Sequence, residues 1–531
     1  MLDILIKNAT VIDGSGAPAK EFDVGVKDGR IVLDVIGKRT KEVKDASGLV
    51  LCPGFIESHS HGDRSIGEYV PSFSKISQGV TTEITGQCGN TPFPVDPKFY
   101  NEFKSISSFA SISNTIPFEK FTSFSSFLDF VNKQDLYLNQ VFLIGHNTLR
   151  ASVMGVENRK ATPEELDLMK DRLSEAMKSG ARGMSSGLIY VPGVYSDEEE
   201  LVELCKIVKQ YDGVYATHMR NEAEKVVEAV EESIRIAEKS GVKLVISHHK
   251  VCGKGNWGFS KNTLKLVEEA NERGTSVLMD VYPYEACMTS LNICIPPWHF
   301  SDGMEELLKK LSDEKWREVI KNEMNSPENK YDNFYKNSGG FKGVFVASAP
   351  NTPDAQGMFI PDYANSIKKS DFDAYFDLLI ENSGGGNGIF FAMDPLEVER
   401  IYMNKHTVVG SDGLPVSMED KGHPRSWGTF IKTISHYALE KKLLSLEEAI
   451  NKQTKKTADF WGLKDVGQIA EGLRADLLLL NLDELVDRAS YEDSNLRADG
   501  LDSVYIAGEL VYSQKELTGK KPGRVVKIKN I

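Results

Sequence analysis

A chain of 531 residues exceeds one usual domain, and its 40% hydrophobic and 26% charged residues are those of an ordinary globular protein, so a large domain with a smaller companion is expected. The formal net charge of −14 excludes nucleic acid as the main partner, because phosphate binding wants a basic face. No stretch approaches the ~20 apolar residues that span a bilayer and no basic-then-apolar leader opens the chain, so no membrane partner is expected.

Both ends read alike. Residues 2 to 50 carry short alternating segments, Leu2–Ile12, Asp23–Val26 and Arg30–Val35, broken by turns such as Asp28-Gly29. Asp476–Asn481, Ser503–Ile506 and Glu509–Tyr512, the last after Ala507-Gly508, repeat the style at the other end. Neither end has the apolar surface for its own core, which predicts one small β-domain assembled from residues 1–53 and 458–531. The six cysteines (52, 88, 205, 252, 287 and 294) have no framework spacing and read as reduced thiols of a cytoplasmic protein.

The middle alternates helix and strand. Thr162-Pro163-Glu164-Glu165 is a helix start, with an N-cap Thr, Pro at the first helical position and Glu three residues after the cap; Gly180 is a good stop. Ser196-Asp197-Glu198-Glu199 starts another, and further helices are predicted over about 221–240 and 260–273. Strands are predicted at Phe55–Ser58, Val80–Thr85, Val141–Gly145, Ala181–Gly187, Val214–Thr217, Val242–Ser247, Ser276–Val281 and Thr407–Gly410. Eight such βα strands predict a (β/α)₈ barrel over 54–457, with functional groups just past the strand ends; an open doubly wound sheet is the alternative. Residues 285–405 are too long for one βα connection and predict an insertion over the barrel mouth, Gly384-Gly385-Gly386 included.

His59 and His61, at i and i+2 after the first strand, put two imidazoles on one side, which is half a transition-metal site. Other strand ends add Cys88, His218, His248-His249 and Asp412. Five of only ten histidines at strand ends, joined by a thiol and a carboxylate, point to a metal centre. His248 and His249 cannot both face inward, so one is structural. Cys88 suits either a small buried apolar role or ligation, and its place in Gly86-Gln87-Cys88-Gly89 at a strand exit favours ligation. His146 suits either a structural hydrogen bond or substrate contact; His299, His406, His423 and His436 read as structural or surface residues.

The segment Pro53-Gly54-Phe55-Ile56-Glu57-Ser58-His59-Ser60-His61 resembles the first-strand motif of the amidohydrolase superfamily. Within it the chain is similar to the N-acyl-D-amino-acid deacylases, or D-aminoacylases, through Gly86-Gln87-Cys88-Gly89, Thr217-His218-Met219-Arg220, Ser247-His248-His249-Lys250, Gly410-Ser411-Asp412-Gly413 and His423-Pro424-Arg425. The resemblance implies hydrolysis of N-acyl-D-amino acids with one tight Zn²⁺ on Cys88, His218 and His248, and a weaker second site on His59, His61, Cys88 and Asp412. It implies Asp412 as the catalytic acid/base and Tyr190, Lys250, Ser290 and Arg425 as substrate-binding residues. Glu57 stands where the superfamily usually has Asp, a supporting rather than ligating position.

The residues themselves agree with that chemistry. A thiolate among the ligands favours zinc over magnesium or calcium, Asp412 can move a proton between water and the leaving nitrogen, and Arg425 offers a fork for a free carboxylate. Too few ligands for two tight metals, and no Lys in Ala181–Gly187 to bridge them, favour a one-zinc centre. The alternatives are a cyclic-amide hydrolase of hydantoinase or dihydroorotase type, which such a Lys would mark, and a non-catalytic relative, which would have lost ligands.

Overall fold

In the computed structural model of the protein, residues 1–106, 115–328, 330–413 and 422–527 are described. The strands of one eight-stranded parallel sheet follow one another in chain order: β1 (Phe55–Glu57), β2 (Val80–Thr85), β3 (Asn139–Gly145), β4 (Gly183–Gly187), β5 (Val214–His218), β6 (Lys243–Ile246), β7 (Val277–Val281) and β8 (Thr407–Val409). The two edges then meet. Ser58 N–H donates to Val409 O at 3.3 Å, Asp412 N–H donates to His59 O at 2.9 Å, and Ser60 bridges Gly413 in parallel. The sheet is therefore a barrel, and the open-sheet alternative is excluded.

Period-two alternation fills the interior. Ile56, Ile84, Val141, Leu143, Val214, Ala216, Val245, Leu278 and Val408 form one buried cluster, continued by Trp461 and Leu463 from beyond the last strand. The helix Pro163–Ser179 starts as its sequence predicts: Glu165 N–H donates to Thr162 Oγ1, Thr162 N–H donates to Glu165 Oε2, and Gly180 closes the helix in the left-handed region at φ 110°. Between β4 and β5 the backbones approach so closely that a Cβ on Gly183 would lie 1.8 Å from Val214 O. Gly183→Ala is accordingly expected to cost at least the ~1–3 kcal/mol of an overpacked core, read from denaturant midpoints.

One helix begins later than its pattern predicts, at Val226 rather than near Asn221. Asn221 Oδ1 accepts from the N–H groups of Ala223 and Lys225, a local turn that competes with helix. Glu222 is thereby left in a loop and turned inward. The N-terminal segment Leu2–Ile12 also divides, into Leu2–Lys7 and Thr10–Val11, which belong to different sheets. Asn8 breaks it at φ 62°, with its N–H on Asp23 Oδ1 and its side-chain amide on Asp45.

The two chain ends share one sheet, in which Leu477–Leu480 lies antiparallel to Val50–Pro53 and to Leu501–Ile506. That leucine run is apolar throughout because both of its faces are covered. Leu477 and Leu479 pack with Ile4, Ile6 and Val24 in the terminal core, and Leu478 and Leu480 face the main core. Between β7 and β8 the chain builds a three-stranded antiparallel sheet of Ala286–Ser290, Asn387–Phe391 and Val344–Ser348. The sequence separation of Asp412 and Arg425 is short enough for their connection to fold over the barrel mouth, but its part 414–421 lies outside the described residues.

Candidate active site

The strand exits converge as the alternation dictates. Val214, Ala216 and then His218 share the inward face of β5, and Leu278 and Asp280 share that of β7. Three exits turn sharply: Cys88, His248 and Asp412 hold φ of 53°, 36° and 51°, a left-handed backbone that non-glycine residues adopt at a cost of ~1–3 kcal/mol, and such strain clusters at functional sites. Backbone contacts hold two of them. Asp280 Oδ1 accepts from His248 N–H at 2.6 Å, and His59 O accepts from Asp412 N–H at 2.9 Å. The turn at His248 sends its ring inward, while His249 points away to Thr263 Oγ1 at 2.8 Å and is the structural member of the pair.

Around Cys88 the side chains meet. Its Sγ lies 3.3 Å from His59 Nε2, 3.4 Å from His248 Nε2 and 3.9 Å from His218 Nδ1. Asp412 Oδ1 lies 3.2 Å from His61 Nε2 and 3.6 Å from His59 Nε2. The donor atoms of His59, Cys88, His248 and Asp412 are all within 4.8 Å of one another, and every one of these residues is buried. So tight a gathering of lone-pair donors, away from water, suits a cation bound among them. Burial pushes His218 and His248 well below the ordinary imidazole range and His61 down to about 4, which leaves the rings neutral, the state a metal ligand requires. Burial also drives the Cys88 thiol up, so only a bound cation makes its thiolate stable there. Burial alone would raise Asp412; Arg425, with His248 and His61, outweighs it and holds the carboxyl well below the usual range, ionised.

The expected substrate-binding residues stand around this centre. Arg425 Nη1 is 2.8 Å from Asp412 Oδ2, its Nη2 donates to Met288 O at 3.0 Å, and the guanidinium lies 4.8 Å from the Tyr282 ring centre. Lys250 Nζ donates to Glu222 Oε1 at 2.8 Å and lies 2.6 Å from His248 Nδ1. The Tyr190 ring stands 5.2 Å from that of His218. Tyr190 and Ser290 both line a cavity of about 450 Å³ whose walls include Ile189, Ile293, Ile295 and Phe300. Ser290 Oγ is buried with no hydrogen-bond partner among the described residues. Lys250 and Arg425 do not line that cavity.

His146 is structural: its Nε2 pairs with Glu200 at 2.8 Å, deep against the helix that follows β4. Glu57 supports, as expected, accepting from the N–H groups of His59 and Ser411 and from Lys75 Nζ. Sequence reasoning missed Glu222 and Asp280. Glu222 lies four residues past His218, a spacing that could have flagged it, and Asp280 sits inside an otherwise apolar strand pattern where a charge needs a reason.

A (β/α)₈ barrel with a thiol, imidazoles and a carboxylate gathered at its strand exits defines a metal-dependent hydrolase. The model of the amidohydrolase family matches residues 42–320 and 383–512. The D-aminoacylase of Alcaligenes xylosoxydans xylosoxydans is 35% identical over 535 residues, spanning 99% of this chain and 97% of that one. A D-aminoacylase structure described by its binuclear metal centre, with one-metal activation and second-metal attenuation, matches with a TM-score of 0.82 at 33% identity over 99% of this chain and 100% of that one. The N-acyl-D-glutamate deacylase of Bordetella bronchiseptica, solved with zinc and a phosphonate inhibitor, matches with a TM-score of 0.83 at 29% identity over the same shares. The chain belongs to the amidohydrolase family and, within it, to the D-aminoacylases.

Proposed function

We propose that the chain hydrolyses the amide bond of N-acyl-D-amino acids, releasing a carboxylate and the free D-amino acid, with one zinc ion held tightly by Cys88, His218 and His248. A second, weaker site would draw on His59, His61, Cys88 and Asp412. The soft thiolate among imidazoles favours zinc, and the names of the relatives favour the D series. Held there, the ion supplies Lewis acidity, polarising the amide carbonyl and lowering the pKa of water. Asp412 takes a proton from the attacking water and delivers it to the leaving nitrogen. Tyr190 and Ser290 orient the substrate from the cavity side, while Lys250 and Arg425 hold its carboxylate. Six buried free thiols support a reducing, cytoplasmic setting, and no helix among the described residues is long and apolar enough to cross a membrane.

The observation that carries this proposal is Arg425, buried and only 2.8 Å from Asp412 Oδ2. A substrate carboxylate that takes this guanidinium leaves Oδ2 open beside the donor cluster, so recognition and proton transfer share one group. A cyclic-amide substrate gains no support: β4 reads Gly-Met-Ser-Ser-Gly and has no lysine to bridge two metals. The primary test is a hydrolysis panel of N-acetyl-D- and N-acetyl-L-amino acids on the zinc-loaded protein, with turnover expected in the D series alone. Arg425→Lys should lower kcat/KM for the acids by about 10–100-fold, the ~1.5–3 kcal/mol of a hydrogen bond to a charged group. The matching amino-acid amides should lose much less. Equal losses on acids and amides would assign Arg425 to the support of Asp412 instead.

A further inference from the structure

Each imidazole has two ring nitrogens, and His218 and His248 point theirs to opposite sides of the site. His218 turns Nδ1 toward Cys88 Sγ, and its Nε2 lies 3.4 Å from Glu222 Oε2 without a hydrogen bond to any partner among the described residues. His248 turns Nε2 toward the same sulfur, and its Nδ1 lies 3.0 Å from Glu222 Oε1. One buried carboxylate therefore backs both rings on the side away from the thiol. Its own backbone is fixed from two directions: Glu222 N–H donates to Asp332 Oδ2 at 2.7 Å, and Glu222 O accepts from Cys252 N–H at 2.7 Å. Asp332 comes from the long β7–β8 connection, 110 residues away in sequence.

From this geometry we infer that Glu222 is a positioning residue, which sets the metal-binding tautomer of His248 against a competing donor, Lys250. The competition is visible at His248 Nδ1, which has Lys250 Nζ at 2.6 Å and Glu222 Oε1 at 3.0 Å. A lysine ammonium can only donate. If Nδ1 accepts from Lys250, the ring hydrogen sits on Nε2, and the nitrogen facing Cys88 has no lone pair for a metal. If Nδ1 keeps the hydrogen and gives it to Glu222, the Nε2 lone pair faces Cys88. Glu222 also takes a Lys250 hydrogen at 2.8 Å, which draws the ammonium off the ring. Carboxylates behind ligating histidines fix ring and tautomer in this way, and their loss costs about 10–100-fold in metal affinity.

Glu222 is not itself assigned as a ligand, although its carboxylate, His218 and His248 make a second compact donor group. The Lys250 ammonium, buried at 3% exposure, occupies that side, and a divalent ion there would face its positive charge at close range. Glu222 is also distinct from the residues proposed to move protons or hold substrate. Its role rests on the ligand assignment of Cys88, His218 and His248.

The test is zinc affinity by chelator competition, separate from turnover. Glu222→Gln is expected to bind Zn²⁺ about 10–100-fold more weakly than the parent protein. Adding Lys250→Met in the same chain removes the competing donor and should recover most of that loss, because the Gln oxygen can still accept from a ring N–H. The double variant also avoids a buried unpaired ammonium, so it remains informative if Glu222→Gln alone folds poorly. At saturating Co²⁺ the visible spectrum of each variant should match that of the parent, since no ligand has changed. Affinity within twofold of the parent in Glu222→Gln, or no recovery in the double variant, would overturn the inference. So would a cobalt spectrum showing a lost ligand, which would make Glu222 a ligand instead. A parent protein that takes up no zinc at all would fail at the earlier step and bring down the ligand assignment together with this inference.

Discussion

Cys88→Ala is expected to leave the protein with well under one equivalent of zinc after dialysis. The thiol is the common neighbour of three imidazoles, 3.3 to 3.9 Å from His59, His248 and His218, so its removal takes away the centre of the donor set rather than one edge of it. It also removes the one soft, anionic donor, and the remaining imidazoles bind other divalent ions nearly as readily. The left-handed φ of 53° at this position is tolerated no better by Ala than by Cys, so backbone strain should be nearly unchanged and the effect should be on the metal. Metal analysis on parent and variant, dialysed together, gives the answer. Full retention of zinc in Cys88→Ala would remove the thiol from the site and leave the imidazoles and Asp412 to carry it.

Most of the barrel was legible from the sequence because its signals are local. Apolar runs such as Val141–Ile144 and the capping box at Thr162 are written within a few residues, and each predicted barrel strand is found within a residue or two of its expected ends. What failed was fixed by contacts across the chain. The alternation of Leu2–Ile12 continues past Asn8, but Asp23 and Asp45, far along the sequence, hold Asn8 in a turn and send the two halves into different sheets. The helix pattern after β5 extends back to Asn221, yet the loop that replaces its first turn is what carries Glu222 to the histidines. In the candidate site, the strand-end rule found His218 and Asp412 but passed over Asp280, which shares the inward face of β7 with Leu278 inside the strand rather than past its end. It could not find Glu222 or Lys75, whose places depend on Asp332 and Glu57 respectively. It also could not see that Arg425 rests on Asp412, because that pairing closes across 414–421, where the sequence offers no periodic pattern.

Asp412→Asn is expected to keep its zinc and lose roughly 10²–10⁴-fold in kcat, the range of general acid–base catalysis. Retention follows from the geometry: the three proposed tight ligands are untouched, and Asn accepts the left-handed φ of 51° at this position as readily as Asp does. The side-chain oxygen of Asn can still meet Arg425, which now approaches Asp412 Oδ2 at 2.8 Å, so packing under Tyr282 should survive. What Asn cannot do is accept a proton. In the parent protein the carboxyl is ionised because Arg425, His248 and His61 outweigh the cost of its burial, which makes it a proton acceptor before substrate arrives. A substrate carboxylate that takes the guanidinium weakens the largest of those stabilising interactions, the one with Arg425. The same side chain then holds a proton more strongly and is suited to pass it to the leaving nitrogen. Zinc content and kcat measured on one preparation separate the outcomes. Loss of zinc from Asp412→Asn would make Asp412 a necessary ligand of the tight site, and near-parent turnover with zinc in place would end its assignment as the proton shuttle.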